Sequence, residues 1–395
     1  MIGMAECTRT LSCGDPPQPG VAGRFKTVVD GNRNGDHMIP RSTHGPHFLT
    51  WFACILLLFT CLAHAAERKA GAFHGAVQTE YPSWFKSSFL NLREDIAEAQ
   101  SKNKRVMLLF TQDGCPYCHA LVERNLSQKD IETYLRKHFD VIAINMWGDR
   151  EVVGLDNRSM TEKQFAARLK VQFTPTILFF DEAGQTVLRL NGYIPPARFM
   201  TALQFAAQGA KESDYLDYLA AHQPPATGSE LIDEPFFRKP PFNLVRKGGK
   251  DRPIAVFFEQ RDCPACAELH HRILSDKQTR GIIAGFDAIQ LNMWSDTPLI
   301  TPQGKATTAR AWARALDIKY APSIVLFDAK GKEIIRSEAY FKLFHTQGIL
   351  TYVLSGAYET EPSFQRYLSA KSEHLREQGQ DVDIWRMGDE PAGKK

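Results

Sequence analysis

The chain has 395 residues, 43% of them hydrophobic, 24% charged and 11% aromatic, with a formal net charge of +3. That length allows two or three domains. The ordinary composition excludes a disordered chain and a polytopic membrane protein, and the small charge offers no field of the kind that holds nucleic acid or a lipid surface. Of eight cysteines, Cys7, Cys13, Cys54 and Cys61 precede residue 66, and the other four form two CxxC pairs with no odd thiol left over. This is the arithmetic of a redox or metal site rather than of a scattered disulfide framework.

Residues 48–62, FLTWFACILLLFTCL, are uncharged and apolar with no polar face, and Ala63-His64-Ala65 comes directly after them. An apolar core of about 7–15 residues before a small-residue step is the pattern of a cleaved secretory signal, whereas a spanning helix needs about 20. The expectation is a signal peptide over 38–65 starting at Met38, preceded by a non-native upstream extension over 1–37. The mature chain then begins at Ala66, outside the cytoplasm. An uncleaved membrane anchor is the alternative.

From Ala66 onward the chain is one unit written twice. Cys115 and Cys118 match Cys263 and Cys266 at an offset of 148, and Phe139–Trp147 matches Phe286–Trp294 at an offset of 147. Pro175 and Pro322, Asp181 and Asp328, and Gly184 and Gly331 keep the second offset. Identities held in register over so long a stretch indicate a duplicated domain. In chain order the first unit predicts a buried strand over Arg105–Thr111, a helix from Cys115 to Leu126, a strand over Val141–Trp147 and a helix over Thr161–Leu169. A hairpin with strands at Ile177–Phe180 and Thr186–Leu190 and a closing helix over Pro196–Ala207 complete it. The order β-α-β-α-β-β-α implies a mixed central sheet flanked by helices, twice over. Leu92 stands 18 residues before Phe110, whereas Leu244 stands 14 before Phe258 with Gly248-Gly249 between, so the leading helix of the second unit should be short or absent. The expected domains are 66–222 and 235–372, each with its own core, joined by a linker over 223–234 and trailed by a polar tail over 373–395 that frays.

Each CxxC sits where a strand turns into a helix. A cysteine at a helix start meets unpaired backbone N–H groups and the positive end of the helix dipole, both of which favour thiolate. Its partner three residues on lies over the same face, within disulfide reach. Cys115 and Cys263 are therefore the expected nucleophiles, and Cys118 and Cys266 the resolving thiols. Pro116 and Pro264 suit a first helical turn, where a missing N–H costs nothing.

Cys115-Pro116-Tyr117-Cys118 and Cys263-Pro264-Ala265-Cys266, each trailed about 55 residues later by Thr174-Pro175 or Ala321-Pro322, resemble tandem thioredoxin-fold domains of the α/β class. The resemblance implies that Pro175 and Pro322 are cis and face the disulfides. It also implies that the backbone at Thr174 and Ala321 pairs with a substrate chain, Tyr117 being a further contact. With the secretion signal and the Met146-Trp147-Gly148-Asp149 segment, the first unit is most similar to periplasmic thioredoxins of the SoxW type. That similarity implies a periplasmic thiol–disulfide oxidoreductase needing no cofactor. Its partners would be thiol or disulfide proteins, including sulfur-oxidation proteins, and a membrane electron donor. A protein disulfide isomerase is the close rival, and a non-catalytic peptide- or metal-binding module the more distant one.

One departure stands out. Many thioredoxins carry a buried acid six residues before the first cysteine, where this chain has Leu109 and Phe257. Proton transfer must use water or another group, with Glu259 and Asp262 both open as candidates in the second unit. His270, four residues after Cys266, reads as a solvated helical histidine rather than a zinc ligand. Trp147 and Trp294 read as packing residues, and Tyr117 as exposed.

Overall fold

The structure, a computed structural model, describes residues 69–222, 230–248, 250–339 and 341–386. The expected extension, signal peptide and linker centre lie outside the described residues. Among those described, no helix is long and apolar enough to cross a membrane.

A two-residue strand, β1 (Phe73–His74), precedes the first unit, which opens with α1 (Leu92–Ser101) and β2 (Arg105–Thr111). The CxxC helix α2 (Pro116–Leu121) continues into a π-helical turn, Val122–Leu126, and leads on to α3 (Lys129–His138) and β3 (Phe139–Asn145). Next come a small hairpin of β4 (Glu151–Val153) and β5 (Ser159–Thr161), then α4 (Glu162–Arg168), β6 (Thr176–Phe180), β7 (Thr186–Asn191), α5 (Pro196–Gln208) and α6 (Tyr215–His222). The sheet runs β3-β2-β6-β7, with β3 parallel to β2 and the other pairs antiparallel.

Pattern dictates this arrangement. Along β2, Val106, Leu108 and Phe110 pack on one face of the sheet with α1 and α4, while Met107 and Leu109 pack on the other with α3 and α5. A strand covered on both faces has no polar face to show, hence its unbroken apolar run. Each large side chain buried this way contributes about 1.5–3 kcal/mol. Thr161 starts α4 with a reciprocal cap: its hydroxyl accepts from Gln164 N, and Gln164 Oε1 accepts from Thr161 N.

The second unit repeats the plan. After β8 (Phe242–Asn243) come β9 (Ile254–Glu259), α7 (Pro264–Glu268), a π-helical turn Leu269–Leu274, α8 (Lys277–Ile283), β10 (Asp287–Asn292), and the hairpin β11 (Pro298–Ile300) and β12 (Ala306–Thr308). The chain continues through α9 (Ala309–Ala315), β13 (Ser323–Phe327), β14 (Glu333–Ser337), α10 (Leu343–Leu354), α11 (Phe364–Glu377) and β15 (Val382–Asp383). Sheet order is β10-β9-β13-β14. Both domains are thus mixed sheets flanked by helices, and β8 stands where the first unit has α1.

Two expectations fail. The polar tail is tied down as far as Arg386: α11 runs on to Glu377, and β15 pairs in parallel with β1, Phe73 against Val382 and His74 against Asp383. Burial of Val382 and Ile384 supplies the apolar anchor that the tail's composition hides. Nor are the cores separate. One cluster joins Leu109, Phe199 and Leu219 of the first unit to Val256, Phe258 and Trp312 of the second. Another joins Cys115, Tyr117 and Phe173 to Phe257, Phe341 and Phe364. Polar contacts reinforce the joint: Lys319, 7% exposed, pairs with Glu212 of the first unit at 3.0 Å and with Asp317, and Asn191 Nδ2 donates to Glu338. At the end of β7, Gly192 has φ 87°, and a Cβ there would lie 2.6 Å from the Cβ of Ala339. Only glycine permits both that backbone and that approach.

Candidate active sites

Both CxxC turns are built alike. Cys115 and Cys263 cap their helices in extended backbone, and each Sγ accepts a hydrogen bond from the N–H of Cys118 or Cys266 at 3.0 Å. The preceding residue must take a left-handed φ. The first unit uses Gly114 (φ 69°), the second Asp262 (φ 51°), one of the few side chains that tolerate it. Each pair is a disulfide, with Cα atoms 5.3 Å and 5.2 Å apart. Thr174–Pro175 and Ala321–Pro322 are cis. The Thr174 carbonyl oxygen lies 3.6 Å from Cys115 Sγ, and the Ala321 oxygen 3.6 Å from Cys263 Sγ. The structure therefore brings the cysteines and the two proline loops together in both units.

The surroundings differ. Thr174 Oγ1 donates to Cys115 Sγ at 3.3 Å, a bond Ala321 cannot make. A hydroxyl aimed at this sulfur stabilises thiolate over thiol and hence the reduced form. Thr174→Ala should lower the first centre's reduction potential by about 30 mV, for a bond contributing about 1.4 kcal/mol. Titration against a glutathione buffer reads this directly, and an unchanged or higher potential would refute it.

Tyr117 is not exposed. It is 5% exposed; its hydroxyl accepts from Lys342 N at 2.9 Å and lies 3.4 Å from His345 Nδ1, and its ring meets Trp385 edge-on. Burial pushes His345 down to about 4, so it stays neutral there. The proline loop is braced as well: Gln365 Nε2 donates to the Gln172 carbonyl at 3.0 Å, and Phe173 packs against Phe341 and Phe364. Cys115 is 2% exposed and lines a cleft of about 440 Å³ with aromatic walls, whereas Cys263 is half-buried beside a larger one of about 1210 Å³. Trp147 and Trp294 stand in the walls of these clefts, Trp294 also packing against the core as expected, each donating its indole N–H to a glutamine, Gln112 or Gln260. That Gln–Trp pair recurs in both units, a signal the alignment held.

In the second unit sequence reasoning misjudged His270. It is 1% exposed, with Nδ1 3.1 Å from Glu234 and Nε2 3.1 Å from Glu259, itself 1% exposed. With both ring nitrogens facing carboxylates, it is no partner for Cys266 in a zinc site. Burial alone would lower its pKa, but the hydrogen bonds and charges of Glu259 and Glu234 outweigh that and raise it. Gln290, Phe237 and Arg280, which bonds Glu234, complete its surroundings. A histidine whose folded pKa is raised stabilises the fold fully below its unfolded pKa, and the contribution fades as pH rises through the folded value. Urea melts should therefore show stability falling as pH rises from about 6.5, the ordinary histidine value, through the raised folded one, a fall that His270→Gln flattens; an identical slope in the variant would refute it.

A model of the Thioredoxin-like domain family matches residues 92–207 and again 243–354. The thiol:disulfide interchange protein DsbD of Photorhabdus laumondii subsp. laumondii is 31% identical over 107 residues, covering 27% of this chain and 17% of that protein. The chain thus spans well under two thirds of that relative. Among solved structures, a thioredoxin-fold protein from Helicobacter pylori is 29% identical, covering 30% of this chain and 81% of that one at a TM-score of 0.28. The oxidised C-terminal domain of Neisseria meningitidis DsbD is 16% identical, covering 32% and 98% at a TM-score of 0.23.

Proposed function

From the premise that the chain belongs to the thioredoxin-like domain family, we propose that it is a two-centre thiol–disulfide oxidoreductase working in the periplasm. One observation carries the reading: in each unit a disulfide caps a helix, with its first sulfur 3.6 Å from the carbonyl that precedes a cis-proline. In the reduced form the first cysteine attacks a substrate disulfide, the second resolves the mixed disulfide, and two electrons pass to the substrate. Cys115 and Cys263 are the nucleophiles and Cys118 and Cys266 the resolving thiols, with Thr174-Pro175 and Ala321-Pro322 flanking the substrate. The apolar segment 48–62 before Ala63-His64-Ala65 supports export, an inner-membrane anchor being the alternative. Sulfur-oxidation proteins of the SoxW setting are the partner class we put forward, with a membrane protein supplying electrons. An isomerase that holds one substrate between two centres is less well supported, because the two CxxC pairs line different clefts and Tyr117 is already engaged by Lys342.

The test is trapping in the native host with Cys118→Ser and Cys266→Ser, which leaves mixed disulfides unresolved. Covalently attached periplasmic proteins, sulfur-handling ones among them, are expected. Attached cytoplasmic proteins would refute the location, and no attached protein at either centre would refute the activity.

A further inference from the structure

Resting on the oxidoreductase reading above, we propose that the second centre acts on an acidic, disulfide-bearing polypeptide segment held in the cleft beside Cys263. Unit one supplies one wall of that cleft, from α5 and α6, and the CPAC turn and α9 supply the other. Four arginines line it, Arg198, Arg261, Arg310 and Arg314, against two acids, Asp217 and Asp262. Arg314 pairs with Asp217, and Arg310 bonds Asp296 and the Trp294 carbonyl. With Asp296 counted, four arginines stand against three carboxylates, so the balance is positive in the same cleft that Cys263 lines. Guanidinium groups bind carboxylates through paired, parallel hydrogen bonds, so acidic residues flanking a disulfide are the complement. At about 1210 Å³ the cleft exceeds the usual range for small-molecule sites, roughly 300–1,000 Å³, which favours a length of chain over a small thiol. The first centre is unlike it: its smaller cleft is walled by Tyr117, Trp147, Phe173 and Phe341, and the charged side chains there, Asp113 and Arg366, are one of each sign.

Atoms and electrons balance in two displacements. The Cys263 thiolate attacks one substrate sulfur, the substrate S–S bond breaks, and the other sulfur leaves as a thiolate that takes a proton from water. Cys266 thiolate then attacks Cys263 Sγ and releases the second substrate thiolate, leaving the Cys263–Cys266 disulfide. The substrate gains two electrons and two protons, and an external dithiol restores the centre.

The experiment uses the full chain with Cys115→Ala and Cys118→Ala, so that only the second centre turns over, and dithiothreitol as the dithiol. Three peptides, each with one internal disulfide flanked by Glu, Gln or Lys, are compared with glutathione disulfide. At low salt the Glu peptide should exceed the Gln peptide by about tenfold in kcat/KM and the Lys peptide by more, with the gap closing as salt rises. Arg198→Gln and Arg261→Gln should bring the Glu peptide down toward the Gln peptide. Equal rates for the three peptides, or a preference for Lys, overturn the proposal. Faster turnover of glutathione disulfide than of the Glu peptide overturns the polypeptide assignment and leaves a small anion as the substrate. No turnover of any substrate overturns the oxidoreductase reading itself, a result separable from loss of selectivity alone.

Discussion

The double variant Cys115→Ser, Cys263→Ser should reduce a disulfide substrate no faster than free dithiol does, a loss on the order of 10³-fold or more. Both residues are helix caps whose sulfur accepts the N–H of the residue three positions on. Serine is among the best residues for that position, so the helix start survives while the nucleophile does not. An alcohol is not appreciably ionised at neutral pH, whereas a thiol at about 8.5, lowered by the helix start, is. The single variants should be unequal: Cys263→Ser should remove most turnover of a polypeptide disulfide, because Cys115 is 2% exposed and Cys263 is half-buried. Substantial activity in the double variant, with an unchanged melting curve, would move the chemistry away from these cysteines.

Lys319→Met should lower the unfolding free energy by about 3 kcal/mol. Burial disfavours the ammonium, but Glu338, Asp317 and Glu212 more than offset this and hold the Lys319 pKa above its ordinary value. Removing the cation leaves the buried Glu338 carboxylate facing the partly exposed Glu212 and Asp317 across the joint between the units, a cost larger than the net gain of the intact pairs. A raised lysine contributes throughout the neutral range, and its contribution is lost only as pH climbs past the folded value. Adding Glu338→Gln to Lys319→Met should recover part of the loss, and this coupling is what separates charge pairing from simple packing. Urea midpoints of the four proteins measure it; a cost under about 1 kcal/mol with no coupling would mean that the cluster is effectively solvated.

The repeat, the sheets and the two reactive turns were legible in the sequence because each rests on local chemistry. An apolar run needs two covered faces, a cysteine before a proline needs a helix start, and shared offsets need a duplicated fold. The short hairpin strands β4 and β5 escaped notice because three residues with a single buried side chain, Val152 in Glu151–Val153, carry no periodicity. Tyr117 looked exposed because its partners Lys342 and His345 lie 225 and 228 residues away, and no local pattern reports contact between units. His270 looked solvated for a different reason: within its own unit, two of its neighbours, Glu234 and Gln290, come from outside its helix and from both sides of it in sequence.

The pairing of β1 with β15 sets a timetable. Ala72 N donates to Asp381 across 309 residues of chain, and Trp385, just beyond that strand, rests against the ring between the first two cysteines. Contacts of such separation carry the largest loop-closure cost and form late. A chain is made from its N-terminus, so Cys115 and Cys118 exist long before the segment that covers them. The first centre is thus open until the C-terminal segment docks and sheltered once it has.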